Sequence, residues 1–333
     1  CKPEWVEGLN RMDMNWVSSK FAKDTFEKMN YEKKDPKTGQ VVGVVKLEKP
    51  IEVVFEGANL TTYKPLNQSE IKTIDLKEIK EEFCFLFVGH WMQGEFGHDR
   101  KNVGVLVKSF YDAFRHKVGK TPALILKSST GVASYLSRDA ILDKIKSIRD
   151  SYGDVKLPNI YLLNGEFDDS EVNELYNHSK VKAMVSLTKG EGFGRPLLEF
   201  SLSKKPIIVS GWSGHLDFID PEFSVCIGGN LTKVHPSAQI PNMILPEAQW
   251  FSPNHGEIGH SLKDMFENYK NYTDGAKRQA YKSKTDFSWE GMRDLLDSRL
   301  TELIPEFPKQ MELKLPKLKL PTLNVAKIEK NEG

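Results

Sequence analysis

The chain has 333 residues, enough for two domains of ordinary size, and its shares of apolar (39%) and charged (28%) residues are ordinary for a globular protein. Its 47 Lys and Arg residues against 46 Asp and Glu residues give a net charge of +1. This balance gives no general reason to expect nucleic acid or an anionic membrane as the partner, although local basic patches stay open.

Cysteine usage and the lack of long apolar runs bear on location. Cys1, Cys84 and Cys226 lie far apart and form no CxxC pair, so we expect no disulfide framework and a reducing, cytoplasmic location. No apolar run reaches the roughly 18 residues of a membrane span, and no signal peptide is recognisable, so we expect at most peripheral membrane contact. The chain opens on Cys1 rather than Met, which leaves processing and truncation both open.

Residues 1–80 are predicted to be a partial α/β domain followed by a linker. Residues 5–29 have a helical pattern, and residues 31–49 are charged and contain a Pro-Gly turn signal. Residues 51–55 are predicted as a short strand. Residues 60–80 are polar and loop-like, so we predict that they connect two domains.

A regular alternation of strands and helices starts at Phe83 and defines a second domain over residues 81–285. The continuous apolar run at 83–88 is typical of a strand buried on both faces of a parallel sheet. Apolar periodicity then predicts a helix over 101–115. The same reasoning predicts further strands at 123–126, 160–163, 181–187 and 206–209, and further helices at 136–150, 169–178 and 196–203.

This alternation specifies an α/β domain with a parallel sheet and right-handed crossovers. Ligands of such sheets bind at the carboxyl ends of the strands, so the loops after the strands are expected to carry the site. A terminal helix is predicted within residues 286–306. The Lys-rich tail over 307–333 contains prolines and is expected to be extended.

The segment 188–196 joins a predicted buried strand to a predicted helix and carries three glycines. Gly190, Gly192 and Gly194 let the backbone approach a ligand closely. Pro196 suits the first turn of the helix, whose free amides and dipole favour an anion such as a diphosphate. The segment is therefore a candidate phosphate site.

Two carboxylates flank that candidate site. Glu191 lies in the loop, where it would repel phosphate, so its partner should be a neutral group rich in hydroxyls, such as a sugar. Glu199 lies near the start of the helix, where it could accept hydrogen bonds from a ribose. The pattern indicates a ligand with phosphates in the middle and hydroxyls at both ends.

Glu191-Gly192-Phe193-Gly194 followed by Glu199 resembles the E-x7-E signature of the retaining GT-B glycosyltransferases of group 1, which include glycogen synthases and bacterial mannosyltransferases. The resemblance covers roughly residues 5–300 and follows the family's order. Other segments similar to the family are 15–21 with 55–59, Val88-Gly89 with 100–102, Leu126-Lys127, Asn164-Gly165 with 168–176, and 210–214.

The resemblance implies a GT-B fold with a C-terminal Rossmann-like parallel-sheet domain and a partial N-terminal α/β domain. The family's first domain normally begins with a Gly-rich loop and several further βα units, and it carries the acceptor site and usually a histidine. Only its closing portion is matched here, in residues 1–60, so the resemblance implies that most of this domain is missing.

Roles for individual residues follow from the resemblance alone. It implies that Glu191 contacts the hydroxyls of the donor sugar and Glu199 the ribose, while Lys101, with Arg100 beside it, neutralises the leaving diphosphate. Lys127 is a second candidate for that neutralisation. The other implied donor-binding positions are Gly89, His90, Gly165, Gly192, Phe193, Gly194 and Ser210. His90 stands where the family usually has Arg, so either Arg100 compensates or the diphosphate binds more weakly.

Several nearby residues have two interpretations. His215 and Asp217 follow the small-residue loop at 210–214 and either line the site or cap a helix. Trp91 and Trp212 follow strand ends and are either sugar platforms or parts of the core.

The implied activity is transfer of a hexose from a nucleoside-diphosphate sugar to an acceptor hydroxyl of a glycan, lipid or protein, with retention, in glycan, polysaccharide or glycolipid synthesis. The resemblance implies that no metal or other cofactor is needed. Two alternatives stay open: a non-catalytic sugar-nucleotide-binding subunit or fragment, and a sugar-nucleotide epimerase of the same fold. A dinucleotide-dependent dehydrogenase is disfavoured because no GxGxxG follows a strand and opens a helix.

Overall fold

The N-terminal portion of the chain forms two small sheets. The computed structural model describes residues 2–241 and 243–304. The first elements are α1 (Pro3–Leu9), β1 (Asn15–Val17), α2 (Lys20–Glu27), β2 (Asn30–Lys34), β3 (Val41–Lys46) and β4 (Ile51–Val53). β1 and β4 pair in parallel, whereas β2 and β3 form an antiparallel hairpin around the predicted turn. The strand predicted at 51–55 is confirmed by β4.

The single helix predicted over residues 5–29 is wrong, because the chain becomes extended between α1 and α2. The buried Asn15 donates from its side-chain amide to the carbonyl oxygens of Leu9 and Pro50, which aligns β1 beside β4. Ser19 then begins α2, and its hydroxyl accepts from the amide of Ala22 at 3.1 Å. Apolar residues on both sides of the break fit one helical period, and only this serine cap marks a new start.

The main sheet contains six parallel strands. They are β5 (Cys84–Val88), β6 (Ala123–Lys127), β7 (Ile160–Leu163), β8 (Val181–Ser186), β9 (Ile207–Ser210) and β10 (Val225–Ile227). Their order across the sheet is β10-β9-β8-β5-β6-β7. The five predicted strands from 83 to 209 are confirmed within a residue or two at each end, and β10 is a strand that the sequence did not predict.

Helices follow the strands as the alternation predicts. They are α3 (Val103–Phe114), α4 (Tyr135–Asp150), α5 (Asp169–Asn177), α6 (Arg195–Ser201), α7 (His255–Glu267), α8 (Thr273–Asp286) and α9 (Trp289–Leu303). Between β10 and α7 lies an unpredicted antiparallel hairpin of β11 (Gly229–Lys233) and β12 (Gln249–Pro253). The first four of these helices confirm the α/β alternation.

The main sheet is buried on both faces. Phe85 and Phe87 of β5 pack into one cluster with α3, α4 and α7, whereas Cys84 and Leu86 pack into a second cluster with α5 and α6. All four side chains are fully buried. This is the arrangement that the uninterrupted apolar run at 83–88 requires.

The direction of winding reverses at β5. From β5 the chain runs outward through β6 and β7, then returns to the other side of β5 with β8 and continues outward through β9 and β10. In open α/β sheets, a crevice forms at such a reversal, outside the carboxyl ends of the two central strands. The loops after Val88 and Ser186 therefore flank the expected ligand position.

Residues 60–80 contain no strand or α-helix, only a short 3-10 turn at Gln68–Glu70. They lie against α5, where the Glu174 carboxylate accepts from the amides of Lys72, Thr73 and Ile74. No helix within residues 2–241 and 243–304 is long and apolar enough to cross a bilayer.

Helix α9 returns to the N-terminal portion. The Arg299 guanidinium pairs with Glu52 at 2.8 Å, and the Trp289 amide donates to the carbonyl of Ala58 at 2.9 Å. The division into units at residues 1–80, 81–285 and 286–306 stays a prediction. The predicted extended tail at 307–333 lies outside the described residues.

Candidate active site

A buried ion-pair cluster stands at the reversal point of the sheet. Lys101, just before α3, places its Nζ 2.5 Å from Oε1 of Glu191, which lies in the loop between β8 and α6. Arg100 approaches Oε2 of Glu191 at 3.3 Å and donates to the Gly190 carbonyl at 2.8 Å. The Glu191 and Lys101 side chains are only 10% and 14% exposed, whereas Arg100 is 47% exposed. The structure thus joins the three residues predicted to be catalytic, from loops 90 residues apart.

Opposing effects set the charge of this cluster. Burial acts to raise the pKa of Glu191, but the nearby Lys101 and Arg100 outweigh it, so the pKa lies below its ordinary value. Burial lowers the pKa of Lys101, and Glu191 opposes that change. We therefore expect Glu191 to be ionised at neutral pH and to act as a hydrogen-bond acceptor.

A second loop holds the backbone of Glu191 in place. The Glu191 amide donates to the Ser213 hydroxyl at 2.9 Å, and its carbonyl accepts from the Gly214 amide at 3.1 Å. Gly214 has to be glycine, because a Cβ there would overlap the carbonyl of Gly192. Ser213 was not among the predicted site residues. Its place in a run of small residues after a strand was the one signal available.

Gly194 and His215 meet beneath the loop. Gly194 has a φ of 102°, in the region that favours glycine, and a Cβ there would lie 3.1 Å from the Cβ of His215. His215 is fully buried, with Nε2 2.7 Å from the carbonyl oxygen of Ser210. Burial lowers the pKa of His215, so we expect a neutral ring that supports the loop.

The other predicted cations line the ends of β5 and β6. His90 places Nδ1 2.9 Å from the Ser129 hydroxyl, and its pKa is lowered by burial and then by Lys101, Lys127 and Arg100. Lys127 donates from Nζ to the Gly165 carbonyl at 3.2 Å. His90 is therefore expected to be neutral and to add no charge to the site.

The remaining predicted positions differ in how they face the loop. A Cβ on Gly89 would lie 3.6 Å from Cε of Lys101, an ordinary contact, and 3.1 Å from Cζ of Phe87, which is a tight one. A Cβ on Gly192 would lie 3.8 Å from the Ser18 hydroxyl. The Phe193 side chain is buried against Phe218 with ring centroids 5.0 Å apart, which leaves only its backbone for a ligand.

Glu199 lies in a separate network. Its side chain is 9% exposed and pairs with Arg195 at 3.1 Å, with Tyr63 and Asp169 nearby. Burial raises the pKa of Glu199 to about 7, although Arg195 opposes the change. Within the described residues, no hydrogen bond or ion pair joins Glu199 to Glu191, Lys101 or Arg100. The roles assigned to these residues stay predictions.

Helix α2 packs against the small-residue loop after β9. Asp217 accepts from the backbone amide of Lys20 at 2.8 Å, so it caps the start of α2. Trp212 packs edge-on against Phe21 with ring centroids 4.7 Å apart and stacks on Phe251 at 6.0 Å. Trp91 is buried, with the Lys144 ammonium 5.2 Å from its ring centroid. These contacts show Trp91 as a core residue and Trp212 as one wall beside the loop.

The arrangement suits a ligand that carries both hydroxyls and phosphates. The ionised carboxylate accepts hydrogen bonds from hydroxyls, and the buried ammonium beside it attracts an anion. No group of three or more His, Cys, Asp or Glu side chains that could hold a metal occurs among residues 2–241 and 243–304. Independence from metal and other cofactors stays a prediction.

Comparisons with known proteins agree on the fold. No protein-family model matches the sequence, and no curated protein matches it. Among solved structures, sucrose-phosphate synthase from Thermosynechococcus elongatus matches with a TM-score of 0.59 and 14% identity, over 90% of this chain and 60% of that one. Anabaena HepE in complex with UDP and glucose matches with a TM-score of 0.60 and 13% identity, over 91% and 68%.

A trehalose-6-phosphate synthase, studied for glycosyl transfer with retention, matches with a TM-score of 0.59 and 11% identity, over 91% of this chain and 64% of that one. The chain thus spans between 60% and 68% of the length of these three structures. Sequence identities this low indicate a shared fold and nothing more. The chain has the α/β architecture of the GT-B glycosyltransferases, with a Rossmann-like parallel sheet.

Proposed function

We propose that the chain binds a nucleoside-diphosphate sugar at the Glu191 loop and transfers the sugar to an acceptor hydroxyl with retention. The observation that carries this proposal is the buried pair of Glu191 and Lys101, with the half-exposed Arg100 beside it, at the reversal point of the sheet. A parallel sheet binds its ligands at this position, and the cluster offers both a hydroxyl acceptor and cations for a diphosphate.

In the proposed reaction, the bond between C1 of the sugar and the diphosphate oxygen breaks, the acceptor oxygen joins C1, and the acceptor's proton passes to the departing diphosphate. Negative charge grows on the departing diphosphate. Lys101 is buried and held in place, so its charge acts on that diphosphate with little screening and little reorganisation. Glu191 would hold the sugar through its hydroxyls. Transfer with retention is supported by the family resemblance and by the shared fold with trehalose-6-phosphate synthase.

The proposal also names a nucleotide donor and classes of acceptor. HepE, which shares the fold, binds UDP and glucose, so UDP-glucose is the first donor to test. We propose a glycan, lipid or protein acceptor and a role in glycan, polysaccharide or glycolipid synthesis. Cys84 and Cys226 are both free thiols, which supports a cytoplasmic location.

A binding subunit without turnover is the second candidate. Such a subunit would hold the donor at the same Glu191 and Lys101 pair, so it predicts donor binding with no turnover when acceptors are present. The epimerase alternative requires turnover of the donor with no acceptor present.

Calorimetric titration with a panel of UDP- and GDP-sugars tests donor binding, in buffers with EDTA and with Mg²⁺. We expect one sugar nucleotide to bind in both buffers and the Glu191→Ala variant to bind it roughly 10-fold to 100-fold more weakly, the loss typical of charged hydrogen bonds. Glu257→Ala, at the start of α7, is the matched control. Unchanged binding in Glu191→Ala would contradict the site assignment, and donor hydrolysis or isomerisation without an acceptor would favour the epimerase.

A further inference from the structure

A cavity lies beside the Glu191 loop, between residues 96–98 and the β11–β12 hairpin. Its volume is about 630 Å³, and its walls include Lys189, His98, His235, Lys233 and Trp250. Glu191, Lys101 and Arg100 are not among the residues that line it. The cavity is therefore distinct from the proposed donor site.

Lys189 is a buried cation in the wall of this cavity. The residue is only 4% exposed. Within residues 2–241 and 243–304, no hydrogen bond or ion pair of its ammonium is found, and its nearest ring partner is Trp250, whose centroid is 5.8 Å away. Burial lowers the pKa of Lys189, while Asp99 acts in the opposite direction. A lysine at this depth is favoured when an anion supplies the missing partner.

The wall contains one further lysine, Lys233, and three histidines. His98 stacks on His235 with ring centroids 3.9 Å apart and an angle of 13° between the rings. Lys233 is exposed at the cavity edge. Asp99, the carboxylate near Lys189, is not a lining residue, because it is buried and its Oδ2 accepts from the Val103 amide at 2.9 Å. The lining residues thus include two lysines and no carboxylate.

The size and the remaining walls indicate what such an anion would carry. A volume of about 630 Å³ falls within the range of sites for small organic ligands, and it exceeds what a bare ion needs. Trp250 is 8% exposed and presents an aromatic surface next to the Lys189 ammonium. An anionic group joined to a ring-sized body would therefore match both the cations and the aromatic wall.

We propose that this cavity binds a small phosphomonoester, with the phosphate contacted by Lys189 and Lys233 and its organic part lying against Trp250. Two lysines match the double negative charge of a phosphomonoester better than the single charge of a carboxylate. The site does not depend on the proposed donor function, because the two sets of residues do not overlap.

Calorimetric titration of the full chain with phenyl phosphate tests the site, with inorganic phosphate and phenol as comparison probes. We expect phenyl phosphate to bind at one site, more tightly than inorganic phosphate, and phenol not to bind. Lys189→Met keeps the buried aliphatic stem and should weaken phenyl phosphate roughly 10-fold to 100-fold, the loss typical of a charged hydrogen bond. The matched control Lys263→Met, on the exposed face of α7, should bind as the parent does.

Variants at the two sites separate this proposal from the donor site. Lys101→Met should leave the affinity for phenyl phosphate unchanged. A loss of affinity in this variant would place the anion in the Glu191 cluster and overturn the proposal. Unchanged affinity in Lys189→Met would also overturn it, as would no binding by the parent. If Lys189→Met does not fold, Lys233→Met gives the same test at an exposed position, with a several-fold loss expected and an unchanged affinity contradicting it.

Discussion

Glu191 and Glu199 come from one short segment and are almost equally buried, with side chains 10% and 9% exposed, yet their surroundings drive their protonation in opposite directions. The pKa of Glu191 is lowered, whereas that of Glu199 is raised to about 7. Burial acts alike on both. The difference lies in their charged neighbours: Glu191 has the buried Lys101 in addition to Arg100, whereas Glu199 has Arg195, which is 57% exposed, and Asp169, which raises its pKa.

This comparison shows that the two glutamates of an E-x7-E pair differ in charge state. A buried ammonium interacts strongly with a nearby carboxylate, whereas water screens an exposed guanidinium. Glu191 is thus a permanent acceptor at neutral pH. Glu199 exchanges a proton near neutral pH, so it is able either to donate or to accept. The two residues suit different parts of a ligand.

The largest expected effect is that of removing the buried cation. Lys101→Met should lower kcat for sugar transfer about 100-fold to 1000-fold, as expected for loss of a charge that stabilises the leaving group. Steady-state turnover of the donor identified by titration measures this effect. Lys108→Met, in an exposed pair with Asp112 on α3, is the control and should keep the parent kcat. Equal kcat in Lys101→Met and the parent would remove Lys101 from the mechanism.

The raised pKa of Glu199 predicts a pH-dependent stability. The folded protein keeps this proton up to about pH 7, whereas the unfolded chain releases it near the ordinary value of 4.5, so the contribution of Glu199 to the free energy of unfolding falls between these values. Relative to the parent, Glu199→Gln should gain about 2 to 3 kcal/mol between pH 5 and pH 8. Urea unfolding at both pH values measures this change.

Glu191→Gln is the matched control for that experiment. Because the folded pKa of Glu191 lies below 4.5, its stabilising contribution is complete at pH 5 and is lost only at lower pH. The stability difference between Glu191→Gln and the parent should therefore stay constant from pH 5 to pH 8. A slope for Glu191→Gln equal to that for Glu199→Gln would remove the contrast between the two glutamates.

The loop that supports Glu191 should be sensitive to a single added methyl group. In Gly214→Ala the new Cβ would overlap the Gly192 carbonyl, so we expect about 1 to 3 kcal/mol of destabilisation and a lower Tm. Gly259→Ala in α7 is the control, because nothing lies within 4 Å of its added Cβ and alanine favours a helix. Thermal unfolding compares them, and an equal Tm for both variants would show that the loop adjusts freely.

The smallest expected effect is at Arg100. Its side chain is 47% exposed, so screening limits its contribution, and Arg100→Gln should weaken donor binding by about twofold to fivefold. Titration of Arg100→Gln and Lys101→Met with the same donor gives the ratio of their donor affinities. A loss of donor affinity in Arg100→Gln as large as the loss in Lys101→Met would contradict the view that burial of the cation sets its importance.

Much of the fold follows from local patterns. Strands β5 to β9 and helices α3 to α6 lie within a residue or two of their predicted positions, since their apolar runs and periods suit one structure only. The break between α1 and α2 was missed because its apolar residues also fit a continuous helix. β10 was missed because a strand of three residues carries little pattern of its own, and the hairpin was missed because its first strand, β11, is exposed along its whole length.

The sequence by itself determined that an α/β sheet would present the glycine loop with Glu191 at the end of a buried strand. Only the tertiary structure decided that Lys101, 90 residues earlier, would meet Glu191, and that Glu199 would lie with Tyr63 and Asp169. Lys189 belongs to the same segment, but the cavity that it lines also needs residues from elsewhere in the chain, such as His98 and Trp250. Residue type and periodicity are local properties, whereas charge and solvation depend on neighbours that the fold brings from elsewhere in the chain.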